Sequence, residues 1–458
     1  MGSHASCYSV EREAPRHKAV ASKRCFYAIC SVKRESPRDK PVASSRLFVH
    51  MTNDSAYLML RISPIIIVLV GLLSVAACGG KAISGTEANP LEPPKAPTSV
   101  PMWLGNTSRN FYGTGPWSDG PLEVVWEFET KFTTGRLHKD PWGGSSWPGQ
   151  PSVDERHVYF GSADGYLYCL DVNDGSLVWS YKTGDSLKTT PTIAGDRLIA
   201  SGLDHYIYCI DARDGSLIWK FKTGFEVDCS AAVIDSRVYF GGEDGFFYAL
   251  SLDDGSLIYK TERLGSMEGS FSVVDGRAYI GTEQGDLYCL NLADGSTVWK
   301  ARIGADSDST PSVYEGMVYT AAENGYVYSF RQTDGELVWK YKAEGGKGKE
   351  KSGFWASPIV ANGRVHIGSS NGYLYCLTAD KGEVVWQYRA RGAIWGTSPL
   401  VDGRLVFGDK AGWIHSVSAE DGRGISELKI GDNINATPAI LGGRIYIGAF
   451  NGKLYCLK

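Results

Sequence analysis

The stretch DGYLYCLDVNDGSLVW, Asp164–Trp179, decides the fold. It returns as DHYIYCIDARDGSLIW at Asp204–Trp219, as QGDLYCLNLADGSTVW at Gln284–Trp299 and as NGYLYCLTADKGEVVW at Asn371–Trp386. Aligned on the glycine before each tyrosine-rich run, the copies stand at Gly165, His205, Gly245, Gly285, Gly325, Gly372, Gly412 and Gly452. The step is forty residues, with one of forty-seven. A fixed period of this length marks a repeat architecture and overrides any domain count based on length.

Each period carries two turn signals. The first is the Gly itself, with His205 as the exception, a residue type that tolerates positive φ better than most. The second is Asp174-Gly175 and its equivalents Asp214-Gly215, Asp254-Gly255, Asp294-Gly295, Asp334-Gly335, Lys381-Gly382 and Asp421-Gly422. Such dipeptides between apolar runs read as hairpins. In the copy ending at Trp219 the strands fall near Thr190–Ala194, Arg197–Gly202, Tyr206–Asp211 and Ser216–Lys222. Four short antiparallel strands in some forty residues are the signature of a propeller blade. Eight copies give an all-β, eight-bladed β-propeller spanning 102–458. The last copy stops at Lys458 without an outer strand, while LEVVW at Leu122–Trp126 is an outer strand without a blade. The two complement each other, so the N-terminal strand is expected to close the last blade and remove its open edge.

The cysteine in LYCL is not a chemical signal. Its position holds Cys169, Cys209, Ala249, Cys289, Ser329, Cys376, Ser416 and Cys456, all small. Equivalent sites on stacked sheets lie roughly 10 Å apart, beyond disulfide reach. Unpaired, buried cysteines acting as small hydrophobes are expected. The aromatic that ends the run recurs as Trp126, Trp179, Trp219, Tyr259, Trp299, Trp339 and Trp386, with Ser426 in the eighth place. It is expected to staple one blade to the next.

Composition fits many short strands: 55 Gly, 13 Trp and 25 Tyr. A net charge of −4 gives no footing for nucleic acid. There is no Walker loop, HExxH, CxxCH or paired CxxC. Met1–His50 differs in kind, with ten Lys/Arg against four Asp/Glu and a tandem copy, Ser9–Ser22 repeated at Ser31–Ser44. It reads as a basic arm or, preferably, as sequence ahead of a true start at Met51 or Met59. Residues 51–77 form a signal: Arg61, the apolar run Ile65–Leu73, then Val75-Ala76-Ala77-Cys78. That ending resembles the lipobox of bacterial lipoproteins, which implies a diacylated Cys78. Gly79, in place of the Asp of inner-membrane members, implies the periplasmic face of the outer membrane. Residues 78–101 then form the lipidated Cys and a flexible tether.

The pattern LDxxDGxxVWxxxTG at Leu170–Gly184 resembles the PQQ-like propeller repeat, and MWLGNTSRNFYGTGP at Met102–Pro116 resembles the opening of propeller lipoproteins of that group. The resemblance covers about Met102–Lys458. It implies a non-catalytic scaffold of the BamB family, which serves outer-membrane β-barrel assembly. Its partners would be the membrane, through the lipid anchor, and envelope assembly proteins, with the propeller a monomer inside a complex. One alternative is a periplasmic ligand-binding or sensor propeller. Another is a PQQ-dependent dehydrogenase, the only reading under which PQQ and Ca²⁺ are expected. The alcohol-oxidising enzymes carry a Cys-Cys dipeptide that is missing here.

A site would lie where loops enter the innermost strands. Three residues before each inner-strand Pro or its equivalent stand Pro148, Lys188, Asp228, Glu268, Asp308, Trp355, Gly396 and Asn435. Asp228, Glu268 and Asp308 fall on consecutive blades and could ligate a hard cation. Trp355, Trp395 and Arg391 stand opposite and could stack on a planar ligand or anchor a peptide. A solvated funnel without a ligand is the other reading. The longer step places KAEGGKGKEKSGF, a Gly/Lys-rich loop suited to partner contact, beside this mouth. Mass spectrometry of membrane-extracted protein should find a mature N-terminus at an acylated Cys78. A mature chain retaining residues 1–77 would contradict the lipobox.

Overall fold

The computed structural model describes residues 97–110, 112–131, 149–345 and 353–458. The extension 1–50, the signal 51–77, Cys78 with the tether up to residue 96, Pro148 and residues 346–352 of the Gly/Lys loop lie outside them. Eight four-stranded antiparallel sheets follow one another in chain order. In the second blade the strands are Thr192–Ala194, Arg197–Ser201, Tyr206–Asp211 and Leu217–Lys222, within two residues of the sequence reading. His205 takes φ of 71° at its turn. The last blade consists of Ala439–Leu441, Arg444–Ala449 and Lys453–Leu457, completed by Val124–Glu129, which pairs antiparallel with Lys453–Leu457. The ring is closed by its first strand, as the repeat count requires.

Each blade is apolar on both faces, so its core lies between sheets. One layer joins Tyr159, Leu167, Cys169 and Trp179 of the first blade to Leu198, Tyr208 and Ile210 of the second. Cys169, Cys209, Cys289, Cys376 and Cys456 are buried and unpaired, as is Cys229. Burial raises the Cys209 thiol to about 11 and the Cys169 thiol to about 12, so neither is a nucleophile near neutral pH.

Every outer strand carries a β-bulge, and in seven of the eight it aims the stapling aromatic. Cys169 faces Trp179 and Leu170 faces Leu177, which leaves Val178 as the extra residue. Leu177 and Val178 are thereby left exposed, while Trp179 turns inward. Its indole Nε1 donates to the Ala212 carbonyl of the next blade at 3.0 Å. Trp219, Trp299, Trp339 and Trp386 make the same bond to Leu252, Gln332, Ala379 and Ala419, and the Tyr259 hydroxyl donates to Leu292. Trp126, on the closing strand, donates to Val172 of the first blade. The ring face rests on the second turn glycine of the neighbour. A Cβ on Gly335, at φ 74°, would stand 2.6 Å from Trp299 Cε3. Ser426 breaks the series, and there its hydroxyl accepts from the Leu122 amide at 2.9 Å.

The segment Val100–Trp117 lies against the inner strands of most of the ring. Val100 bridges Val153, Pro101 accepts from Ile193, Thr107 accepts from Val273, Thr114 donates to Ile440, and the Trp117 indole donates to Val401. Arg109 is fully buried; its guanidinium donates to the Phe271 and Trp103 carbonyls at 2.8 and 2.6 Å. Desolvation lowers its pKa to about 10, which still leaves it charged.

Gly335→Ala should destabilise the protein by about 1–3 kcal/mol in urea unfolding, because backbone strain and a ring clash coincide. Gly276→Ala, at φ 69° with nothing within 4 Å, carries strain alone and should cost less. Equal losses would show that the indole contact contributes nothing.

Candidate functional site

The loops from each outer strand to the next inner strand converge on the channel. A column of hydroxyls fixes them. Thr190, Ser230, Ser270, Thr310, Ser357, Thr397 and Thr437 stand one repeat apart. The Thr190 amide donates to Ser230 Oγ at 3.0 Å, Ser230 to Ser270 at 2.9 Å, Ser357 to Thr397 at 3.0 Å and Thr397 to Thr437 at 2.9 Å. This belt holds the residues two positions earlier at the channel rim. They enclose a cavity of about 70 Å³ lined by Lys188, Asp228, Glu268, Asp308, Trp355, Trp395 and Asn435, with Trp103 of the N-terminal segment also in its wall. Trp103 is tied there by its indole bond to Thr310 at 3.0 Å.

Six of the seven proposed site residues therefore meet in one cavity. Arg391 does not: it pairs with Glu427 and lies over the Trp413 ring at 4.2 Å. Two residues past its outer strand, it has not yet travelled inward. Gly396 is also displaced from the rim. The proline of that blade, Pro399, stands one residue later than the frame, and Trp395 occupies the rim position.

One side of the rim is acidic. Lys188 Nζ lies 3.5 Å from Asp228 Oδ2, and Asp228 Oδ1 has no hydrogen-bond partner. Burial raises the Asp228 pKa against the pull of Lys188. Glu268 is pushed up to about 8 by burial, then by Asp228 and Glu283. Asp308 is raised by burial, then by Glu268 and Asp306. The sequence reading missed a second acidic column, Glu243, Glu283 and Glu323, in the turns between second and third strands. Its signal was an Glu at the same turn position on three consecutive repeats. Glu243 is raised to about 9 by burial, then by Asp228, Glu268, Glu226 and Glu283.

The other side is aromatic. Trp355 and Trp395 stack with centroids 4.0 Å apart, and Lys410 Nζ stands 3.5 Å from the Trp395 centroid. Away from the rim, the buried pair His415 Nε2–Asp409 Oδ2, 3.0 Å apart, is structural: Asp409 also accepts from the Gly392 and Trp413 amides, and His415 Nδ1 meets the Tyr388 hydroxyl at 3.1 Å.

Closed ring, repeat pattern and rim define an eight-bladed β-propeller of PQQ-like repeats, similar to BamB. The chain belongs to the β-propeller family described for the beta-alanine-activating enzyme, whose model matches residues 194–458. The model described as outer membrane protein assembly factor BamB matches residues 123–263. No curated protein matches the chain by sequence. Among solved structures, a europium-containing methanol dehydrogenase is similar at 14% identity and TM-score 0.65, covering 79% of this chain and 98% of its own. Quinohemoprotein alcohol dehydrogenase from Comamonas testosteroni is similar at 13% and 0.64, covering 79% and 80%. BamB from Moraxella catarrhalis is similar at 17% and 0.50, covering 74% and 99%. At these identities the likeness is one of fold.

The raised carboxylates set a pH dependence. Glu243 ionises from an ordinary 4.5 in the unfolded chain but only near 9 in the fold. Its contribution to stability is present in full below about 4.5 and is lost as pH rises through 9. Unfolding free energy should fall across this window, and Glu243→Gln should flatten the slope and raise stability at pH 8. A steeper slope in the variant would refute the repulsive cluster.

Proposed function

We propose that the chain is a non-catalytic, partner-binding propeller, anchored through Cys78 to the periplasmic face of the outer membrane and serving β-barrel protein assembly. The observation that carries this reading is the plugged channel. With Trp103 in its wall, the rim cavity holds about 70 Å³, against the roughly 300–1,000 Å³ of small-molecule and cofactor sites. A planar tricyclic quinone needs far more room than that. The match of residues 123–263 to the BamB model supports the direction of the assignment, as does the lipobox.

Partner contact would centre on the aromatic side of the rim. Trp355 and Trp395 stack and Lys410 lies over the Trp395 ring, and aromatic anchors dominate binding energy at interfaces. Arg391 is the secondary contact, four residues before Trp395 in the loop that follows Val384–Arg389.

Trp355→Ala should weaken recovery of envelope partners in crosslinking and co-purification from native membranes. The loss should reach about 1–3 kcal/mol if Trp355 is a hot spot, with little change in melting temperature. Micromolar PQQ binding with dye-linked alcohol oxidation, abolished by Asp228→Asn, would overturn the reading in favour of a dehydrogenase.

A further inference from the structure

We propose that the outer wall of the second and third blades is a membrane-contact face that fits an anionic phospholipid surface. Residues 102–458 carry 34 Lys/Arg against 44 Asp/Glu, yet the outer strands Leu217–Lys222 and Leu257–Lys260 contain no acid. Their outward positions are sorted along the strand. At one end Leu217, Ile218, Leu257 and Ile258 are exposed. Towards the other stand Lys220 and Lys222, over the Tyr206 ring, and Lys260, over the Phe246 ring, with Nζ 4.5, 5.9 and 4.2 Å from the centroids. Among the described residues no carboxylate pairs with any of the three, whereas Lys300 and Arg302 of the next blade meet Asp286 at 2.9 and 2.8 Å. The outer strands of the seventh and eighth blades carry Glu427, Glu127 and Glu129 instead.

Lysines on an edge strand also deter pairing between edges, but that need does not call for Phe225. It is the one aromatic among the exposed large hydrophobic side chains of the described residues, at 46% exposure. Three residues past Lys222, it adds an apolar group on the far side of the lysines from Leu217 and Ile218. Its loop is fixed. Thr223 Oγ1 donates to the Phe225 carbonyl at 2.7 Å, and the Thr223 amide donates to the His205 carbonyl at 2.9 Å. The Phe225 ring rests against His205, with centroids 5.4 Å apart. His205 is the one copy of its turn without glycine. Two departures from the repeat thus meet at one corner and hold an aromatic side chain out in solvent. Apolar groups interleaved with unpaired lysines suit the headgroup boundary, where the apolar groups enter and the ammonium groups meet phosphates. The acidic turns at Asp214 and Asp254 precede these strands, so the wall meets the bilayer tilted, Phe225 end first. The bilayer is within reach. The described chain starts at residue 97, beside the first blade, where Val100 bridges Val153. The 18 residues from there back to Cys78 span at most roughly 60 Å. The anchor retains the chain, and the wall sets the direction in which the rim faces. This inference rests on the Cys78 anchor proposed above for access to the bilayer, and not on partner binding at the rim.

The test mixes the full chain with excess vesicles, either of phosphatidylcholine alone or of phosphatidylcholine with phosphatidylglycerol. Lysine acylation is then mapped by mass spectrometry. Lys220, Lys222 and Lys260 should react roughly fivefold more slowly on the anionic vesicles, and high salt should restore their reactivity. Lys429, on the outer strand of the seventh blade, should react alike on both. Lys220→Glu combined with Lys222→Glu should abolish the protection of Lys260, and Phe225→Ser should reduce it, with little change in melting temperature in either case. Flotation with the neutral vesicles reads the anchor separately. A chain that floats, yet whose wall lysines react alike on both vesicles, keeps the anchor and overturns the wall. A chain that does not float has lost the anchor, and the acylation comparison at vesicle excess still decides the wall. Protection in native envelopes but not on protein-free anionic vesicles would overturn the proposal in favour of a protein partner.

Discussion

The ring depends on one contact repeated at seven of its eight seams: an aromatic side chain, an indole at six of them, laid on a glycine of the next blade. A four-stranded sheet that is apolar on both faces cannot stand alone, and each blade is stable only against two neighbours. The aromatic from Trp126 round to Trp386 fixes how closely and at what angle those neighbours meet. The glycine must adopt positive φ and also accept the ring where a Cβ would go, so two requirements fall on one residue. The bulge that turns the indole inward is the third part of the same device. In six of the eight outer strands it leaves two aliphatic side chains exposed, such as Leu177 and Val178.

Once the blades are fixed, the rim follows. Inter-blade amide–hydroxyl bonds tie neighbouring loops together along the channel, and the residues two positions earlier are presented at its rim. The site is therefore polarised by which blade supplies which residue. The third to fifth blades deliver carboxylates, and the sixth and seventh deliver Trp355, Trp395 and Lys410. The Val100–Trp117 segment supplies what a repeat cannot, an asymmetric filling for a channel built by near-symmetry. Its buried Arg109 donates to the Phe271 carbonyl of the fourth blade and to the Trp103 carbonyl of its own segment rather than to a carboxylate.

Period, turn chemistry and the volume limit at the cysteine position made the fold legible, because each was written several times over. The closing strand was legible by subtraction, from an orphan LEVVW and a blade short of one strand. The site was read less completely. Asp228, Glu268 and Asp308 were found because counting back from a proline tracks one loop family. That count slipped at Gly396, where Pro399 sits one residue out of frame. Arg391 stands only four residues from Trp395 in sequence, but an extended chain covers about 13 Å in four residues, enough to separate the outer edge from the rim. Glu243 and Glu283 were missed because they come from a different turn, and only three dimensions bring two turn families together.

The seam has a consequence for the order of manufacture. The strand that completes the ring, Val124–Glu129, is synthesised before any of the blades, yet its partner Lys453–Leu457 is synthesised after all the others. Each intermediate blade can stack on its predecessor as it emerges, but the growing arc carries an unsatisfied edge at its trailing end throughout. Val124–Glu129 and Val100–Trp117 must meanwhile wait unpaired. The interval between those two strands is thus a window of exposure set by the length of chain between them and the speed of its synthesis, and not by the stability of the finished ring. Selection on such a protein acts on what keeps that arc from zipping to another arc as much as on the circle it finally forms.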